Sequence, residues 1–441
     1  MTSAFLSHIG TPPPRKSEMV SSAVLDLSES PLRDDSGSAK SYAWVLSLFR
    51  EPLFILRLYG LPFSGLSLNQ TSFVFPALCA AYSVHCAASL LLVSKRGTDA
   101  MTAVLPDASD LCRAVVSFLT AAHASRNGAK VLALVRQSAA AMLGRRFTSV
   151  AQCVKPTEWS ALRRTVLASS SFALVSWAVF VGLRVSTLRS RGLREYCDTY
   201  LYGFAPSSDN RGPGSYVLPV LDALLYGVVL SLPRWSIALH VSLCHFLGAL
   251  GNQLATSMRL SSEKRDRQLD VAEVRELRLR HAALCRAIGR CDDLYGWLLF
   301  FWCGDAVICF VFGVPWIMAR ADVDDPTGYA AASVDVTLGV LLLVALFVAA
   351  SEPGRLAKDS LTPHVLRLSC CQSVHAAGAT GKENDVALNQ ELLLLATAVR
   401  AARVEMTGWN CFDVHRGTTI TVLSMLATYA VIVYQMLHHI G

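Results

Sequence analysis

Eight side chains stand out because they sit inside blocks of sequence that are otherwise apolar: Asp110, Arg184, Asp222, Tyr226, Trp302, Asp305, Trp316 and Asp335. An ionisable group at the centre of a bilayer costs at least about 2.5–3.5 kcal/mol on insertion scales, so each asks for a partner or a water-filled cavity. Aromatic faces with a few convergent polar groups describe a pocket for a small organic molecule, and these eight are assigned to ligand binding. Structural readings compete for several of them. Asp222 and Arg184 suit an ion pair, Asp335 and Arg113 suit snorkelling at an interface, and Trp316 suits an aromatic belt. Asp305 is the hardest to explain that way, because nothing apolar is gained by placing it in mid-block.

Catalytic chemistry has no comparable support. The chain has no H-E-x-x-H, no G-x-S-x-G and no phosphate-binding loop, and His438–His439 is an isolated pair. No enzyme, metal site or cofactor is expected. The 13 cysteines form no C-x-x-C pair. Cys79, Cys86, Cys244, Cys303 and Cys309 lie in apolar blocks and read as small packing residues.

The elements that must position the eight are membrane helices. Of 441 residues, 53% are hydrophobic and 17% charged, against about 25% charged in soluble domains. The apolar residues fall in runs of the roughly 20 needed to cross a bilayer as a helix. Seven such spans are read: about 72–94, 104–124, 165–188, 215–248, 294–319, 329–351 and 417–437. The second is weakest, because Asp107, Asp110 and Arg113 crowd one end, and Pro219 and Pro233 mark kinks in the fourth. Residues 1–41, rich in Ser, Pro and mixed charge, are expected to be disordered and show no signal-peptide pattern, so the first span directs insertion. Residues 42–71 hold an interfacial or re-entrant helix over 42–60. Spans one to six occupy 72–352, with cytoplasmic linker helices at 126–164 and 259–292. A cytoplasmic anchor fills 353–416, and 417–441 is the last span. Cys370–Cys371 falls in that anchor and reads as reduced or palmitoylated.

Loop charge gives the orientation. Eight Lys or Arg lie between spans two and three against one acid, Glu158, while Arg320 between spans five and six faces Asp322, Asp324 and Asp325. That excess places the even-to-odd loops, the N-terminus and the large linkers in the cytoplasm, and the C-terminus outside. Lys95, Arg96 and the basic run Arg189, Arg191, Arg194 run against the trend. The net charge of +7 therefore belongs to membrane orientation and not to nucleic-acid binding. A G-protein-coupled receptor has the opposite orientation and carries a D/E-R-Y triplet and N-P-x-x-Y; neither is present. A transporter built on inverted repeats would show internal symmetry, and none is visible.

The last span reads Thr428-Tyr429-Ala430-Val431-Ile432-Val433-Tyr434-Gln435-Met436. A Thr-Tyr pair, five mostly apolar residues and a glutamine near the outer end of the final helix resembles the signature of insect gustatory receptors. Gly408, Phe412 and Asp413 before it, and Gly60-Leu61-Pro62-Phe63 near the first span, resemble the same family. Met436 stands where that family has Phe. The resemblance covers the chain in length, topology and loop sizes and is specific in about its last 35 residues. It implies an all-α, seven-span cell-membrane protein that acts as a tastant-gated, non-selective cation channel in chemosensory neurons. Thr428, Tyr429, Gln435 and Met436 would line or gate a central pore formed by four copies, identical or mixed with related receptors. Its partners would be a small-molecule tastant, permeating cations and membrane lipids. The ligand is expected to be a bitter or other plant compound, with a sugar as the alternative.

Overall fold

The computed structural model describes residues 49–58, 74–95, 100–143, 156–201, 213–263, 270–319, 326–368, 382–402 and 405–440. The expectations for residues 1–41, Gly60–Phe63 and Cys370–Cys371 lie outside these. The described elements are α1 (Arg50–Leu58), α2 (Val74–Lys95), α3 (Ala100–Leu143), α4 (Pro156–Tyr200), a 3-10 turn (Pro213–Tyr216), α5 (Val217–Glu263), α6 (Val271–Ala319), α7 (Pro326–Lys358), α8 (Lys382–Ala401) and α9 (Arg416–Ile440). A two-residue hairpin, β1 (Thr407–Gly408) and β2 (Phe412–Asp413), sits between α8 and α9.

Helices are what this composition dictates, because a helix alone satisfies all its backbone groups within one lipid-exposed segment. Among the described residues, six helices carry stretches long and apolar enough to cross a membrane: Val74–Leu91, Ser160–Ser190, Val217–Ser262, Val271–Met318, Ala332–Leu368 and Arg416–Met436. The chain is a multi-pass membrane protein. The remaining expected span, 104–124, is the first half of α3, where Asp110 and Arg113, two of the charges that weaken its hydropathy, point into the protein.

α5 is the central post. Every residue from Val229 to Cys244 is buried, the pattern of a helix covered on all sides. α4, α7 and α3 pack around it, while α2 packs on α3, and α6 packs on α3 and α7. Hydroxyls inside this bundle bond back to their own helices, as Ser117 donates to the Arg113 carbonyl (2.8 Å) and Ser242 to the Ala238 carbonyl (2.7 Å). α1 falls within the segment read as interfacial and sets the Phe49 ring edge-on to Phe246 of α5, 5.8 Å between centroids.

The separate linker helices do not appear as such. Residues 126–143 continue α3 without a break, and 156–164 are the first turns of α4. Residues 259–292 are divided between the end of α5 and the start of α6. The reason is physical: single glycines (Gly128, Gly251, Gly289) but no proline stand where these spans leave the apolar block, so the same hydrogen-bond ladder runs on.

α8 docks on this extended part of α6 through Leu388, Leu392, Leu395 and Val399, all buried at heptad spacing. Glu391 on the same side accepts hydrogen bonds from Arg275 Nε (3.0 Å) and Arg278 Nε (2.9 Å). Burial by itself raises a carboxyl, but the two arginine hydrogen bonds outweigh it and hold Glu391 below its ordinary 4.5. A depressed value means the stabilisation is present above pH 4.5 and is lost as pH falls through the folded-state value. Glu391→Ala is expected to lose about 1–3 kcal/mol at neutral pH, mostly the Arg278 share because Arg275 is exposed. Thermal melts of the solubilised protein check this: the wild type should lose stability on acidification more steeply than Glu391→Gln.

Candidate ligand site and terminal helix

Six helices bring charged and aromatic side chains to one region. On α3, Arg113 pairs with Asp335 of α7 and donates from Nε and Nη2 to Cys309 Sγ of α6 at 3.1 and 2.9 Å. Asp305, one turn earlier on α6, lies 3.9 Å from the same sulfur. On α5, the Tyr226 hydroxyl reaches Asp110 Oδ1 of α3 at 3.5 Å. The Arg184 guanidinium of α4 lies over the Tyr226 ring, 4.2 Å from its centroid, and 3.8 Å from Asp222 Oδ2. Tyr82 of α2 and Phe180 of α4 contact that ring edge-on at 6.4 and 6.1 Å.

A kink places one more member. Gly192 has φ 80° and ψ 165°, a conformation open to glycine and to almost nothing else. α4 turns there, and Tyr196 beyond the turn donates to Asp222 Oδ2 at 2.6 Å. Asp222 is thus held by a hydroxyl and faced by a guanidinium, which is what a buried carboxylate requires. Arg234, deeper in α5, covers the Phe180 ring at 4.2 Å and donates to its own Leu230 carbonyl. Its Nε and Asp335 Oδ1 are buried atoms with no hydrogen-bond partner among the described residues.

Of the eight residues expected to bind ligand, Asp110, Arg184, Asp222 and Tyr226 form one connected group, and Asp305 and Asp335 join a second through Cys309 and Arg113. Arg113 and Asp335 pair inside the protein; they do not reach outward to an interface. Trp302 is almost fully buried and gives its indole N–H to Thr120 Oγ1 at 3.1 Å, packed with Tyr295 and His240. Trp316 lies two turns beyond Cys309 on α6, half-buried. The residues not assigned from sequence are Cys309, Tyr196 and Arg234. Cys309 looked like a packing residue, and Tyr196 stood in an apparent loop.

α9 is different from every other span. Only 6% of its apolar stretch is buried, against 28–44% elsewhere. Tyr429 fastens it to α6, donating to the Val311 carbonyl at 2.9 Å with its ring 6.4 Å from Phe310. Thr428 bonds to its own Ser424 carbonyl, and Gln435 and Met436 are exposed. At its start the hairpin turns through Trp409 and Asn410, both left-handed (φ 52° and 56°), the central pair of a turn closed by the Cys411 amide donating to the Gly408 carbonyl at 2.8 Å. The strain of a left-handed tryptophan is held by its ring, which lies against Phe300 and Phe301 of α6 at 5.8 and 5.9 Å.

No protein-family model matches the chain, and no curated protein matches it in sequence. Solved structures do. The insect olfactory receptor OR5 from Machilis hrabei in complex with eugenol superposes with a TM-score of 0.64 at 12% identity, covering 90% of this chain and 99% of that one. A second structure of the same receptor gives 0.62 at 13% identity, covering 90% and 100%. The chain has the fold of that insect chemoreceptor from end to end of the receptor.

Proposed function

We propose that this chain is one subunit of a ligand-gated, non-selective cation channel of the insect chemoreceptor type, a gustatory receptor opened by a bitter or other plant compound. The observation that most supports a pore is α9: a long apolar helix, fastened at Tyr429, most of whose apolar stretch is exposed among the described residues. Four copies around an axis would cover that stretch and bring Gln435 and Met436 into rings. A ring of large apolar side chains gates by excluding water, and a ring of amides can contact a passing cation. The N-terminus lies inside and the C-terminus outside, as the loop charges indicate. The fold, shared with a receptor solved with eugenol, supports a small-molecule ligand and argues against an enzyme.

The pairing of the polar residues favours a largely apolar ligand. Asp110, Asp222 and Asp335 already have Tyr226, Tyr196 and Arg113, and Trp302 has Thr120. A sugar needs several uncommitted hydrogen-bonding groups, whereas an aromatic compound needs ring surface of the kind that Phe180 and Tyr226 would offer once Arg234 or Arg184 is displaced from its ring.

Expression of the chain in non-neuronal cells tests this. Whole-cell recording should show inward current on application of plant aromatics and weaker or no current with sugars. Met436→Ala should raise the standing current several-fold without ligand, because the apolar constriction widens. Surface-expressed protein that conducts nothing across the panel would overturn the channel reading, and an N-terminal tag reached by antibody on intact cells would overturn the orientation.

A further inference from the structure

His240 and Cys244 stand one turn apart on α5 and so share a face. Cys291 of α6 faces them, and the ligating atoms of the three lie within 4.8 Å of one another. His240 Nε2 is 3.5 Å from Cys244 Sγ, and Cys244 Sγ is 3.7 Å from Met406 Sδ, just before β1. All four residues are at most 1% exposed. His240 Nδ1 is buried with no hydrogen-bond partner among the described residues, while Nε2 is hydrogen-bonded to the Cys244 thiol. The ring also makes tilted contacts to Tyr295 and Trp302, with centroids 4.8 and 5.9 Å apart.

We propose that His240, Cys244 and Cys291, with Met406 as fourth donor, bind one soft transition-metal ion, Cu(I) in preference to Zn(II). A tetrahedral ion with bonds of about 2.3 Å to sulfur and about 2.0 Å to nitrogen has edges of roughly 3.8 Å between sulfurs and roughly 3.6 Å between sulfur and nitrogen. The two measured edges match these. The donor set is two thiols, a thioether and an imidazole with no carboxylate, which selects for softness. Binding of Cu(I) releases one thiol proton to solvent, so that one thiolate balances the monocation in the buried setting and the second cysteine donates as a thiol; Zn(II) would need both thiol protons to leave. The position gives the site a consequence. Cys291 adjoins Asp292, which grips Thr407, and Met406 adjoins Thr407, so an ion here ties α5 and α6 to the segment that leads into α9.

The experiment loads the full-length solubilised chain with Cu(I) under reducing conditions, or with Zn(II), then measures metal per chain after gel filtration. One tightly held copper is expected, resisting a competing Cu(I) chelator. Cys244→Ser with Cys291→Ser should abolish it. Met406→Leu, which keeps the volume, should weaken Cu(I) by roughly the 10–100-fold typical of losing a supporting partner and leave Zn(II) nearly unchanged. Cys285→Ser is the control. His281 and Cys285 repeat the same spacing at 3.5 Å, but His281 is also bonded to the Ala357 carbonyl, and the pair has no third donor among the described residues. Copper-edge absorption on the wild type should show sulfur and nitrogen neighbours, a reading independent of any variant. No retained copper, copper unchanged in the double variant, an oxygen-only coordination shell, retention of Zn(II) alone, or a Cys244–Cys291 disulfide would each overturn the proposal. None of these readouts depends on whether the chain conducts.

Discussion

Asp335→Ala should cost about 3–5 kcal/mol, enough to remove most folded protein from the membrane fraction. The aspartate pairs with Arg113, and the two side chains are 16% and 7% exposed. Removing the carboxylate leaves a guanidinium that cannot lose its proton, buried between α3, α6 and α7, with Cys309 as its remaining side-chain hydrogen-bond partner among the described residues and Asp305 as a more distant charge. The cost is that of an uncompensated charge, so Arg113→Met paired with Asp335→Leu should recover most of it, because replacing both members by apolar groups of similar size is often neutral. Fluorescence-detected gel filtration and thermal melts of the two single variants and the double check this directly. Equal losses in all three would mean that shape and not charge is what the pair contributes. If the paired variant folds and also keeps its response to ligand, the ion pair is a packing device; if it folds and loses the response, the pair belongs to the ligand site.

The same pair shows what could and could not be read from the residues alone. The apolar blocks are legible because lipid offers the backbone no alternative to a helix, and the block lengths follow from bilayer thickness. The span at 104–124 looked weak because Asp110 and Arg113 interrupt it, yet those charges are its attachment points. Their partners Tyr226 and Asp335 lie 116 and 222 residues away in sequence, a separation across which no local pattern carries information. Tyr196 was hidden for a different reason. The run Arg189–Arg194 reads as a polar loop, and only the Gly192 kink returns the chain to Asp222. The ends of the long helices were illegible because single glycines such as Gly128 and Gly251 do not stop a helix, and α7 runs through Pro353 to Lys358. The eight residues singled out by type were brought together only in part, since a buried tryptophan such as Trp302 serves packing as readily as binding.

The second large effect is expected at the root of α9. Asp292 of α6 accepts from the Thr407 amide at 2.7 Å and from its hydroxyl at 3.1 and 3.2 Å, and the Trp409 amide donates to the Gly296 carbonyl at 2.9 Å. The hairpin approaches so closely that a Cβ at Gly296 would lie 3.0 Å from the Thr407 carbonyl oxygen, so Gly296 has to be a glycine unless the hairpin moves. Asp292→Ala removes every bond from this carboxylate to Thr407 and leaves a donor unsatisfied, at about 2 kcal/mol. With each 1.4 kcal/mol a factor of ten, hydrogen exchange in the peptide around Thr407 should quicken roughly thirtyfold. Thr407→Val keeps the amide bond and should give a smaller acceleration; Asp292→Asn, which still accepts but without charge, should fall between. The core of α5 should exchange as slowly as in the wild type, because the loss is local. An unchanged rate in Asp292→Ala would mean that Trp409, Phe300 and Phe301 hold the hairpin by themselves. In that case the junction between the body of the bundle and its terminal helix is aromatic, and Trp409 becomes the residue on which the position of α9 depends.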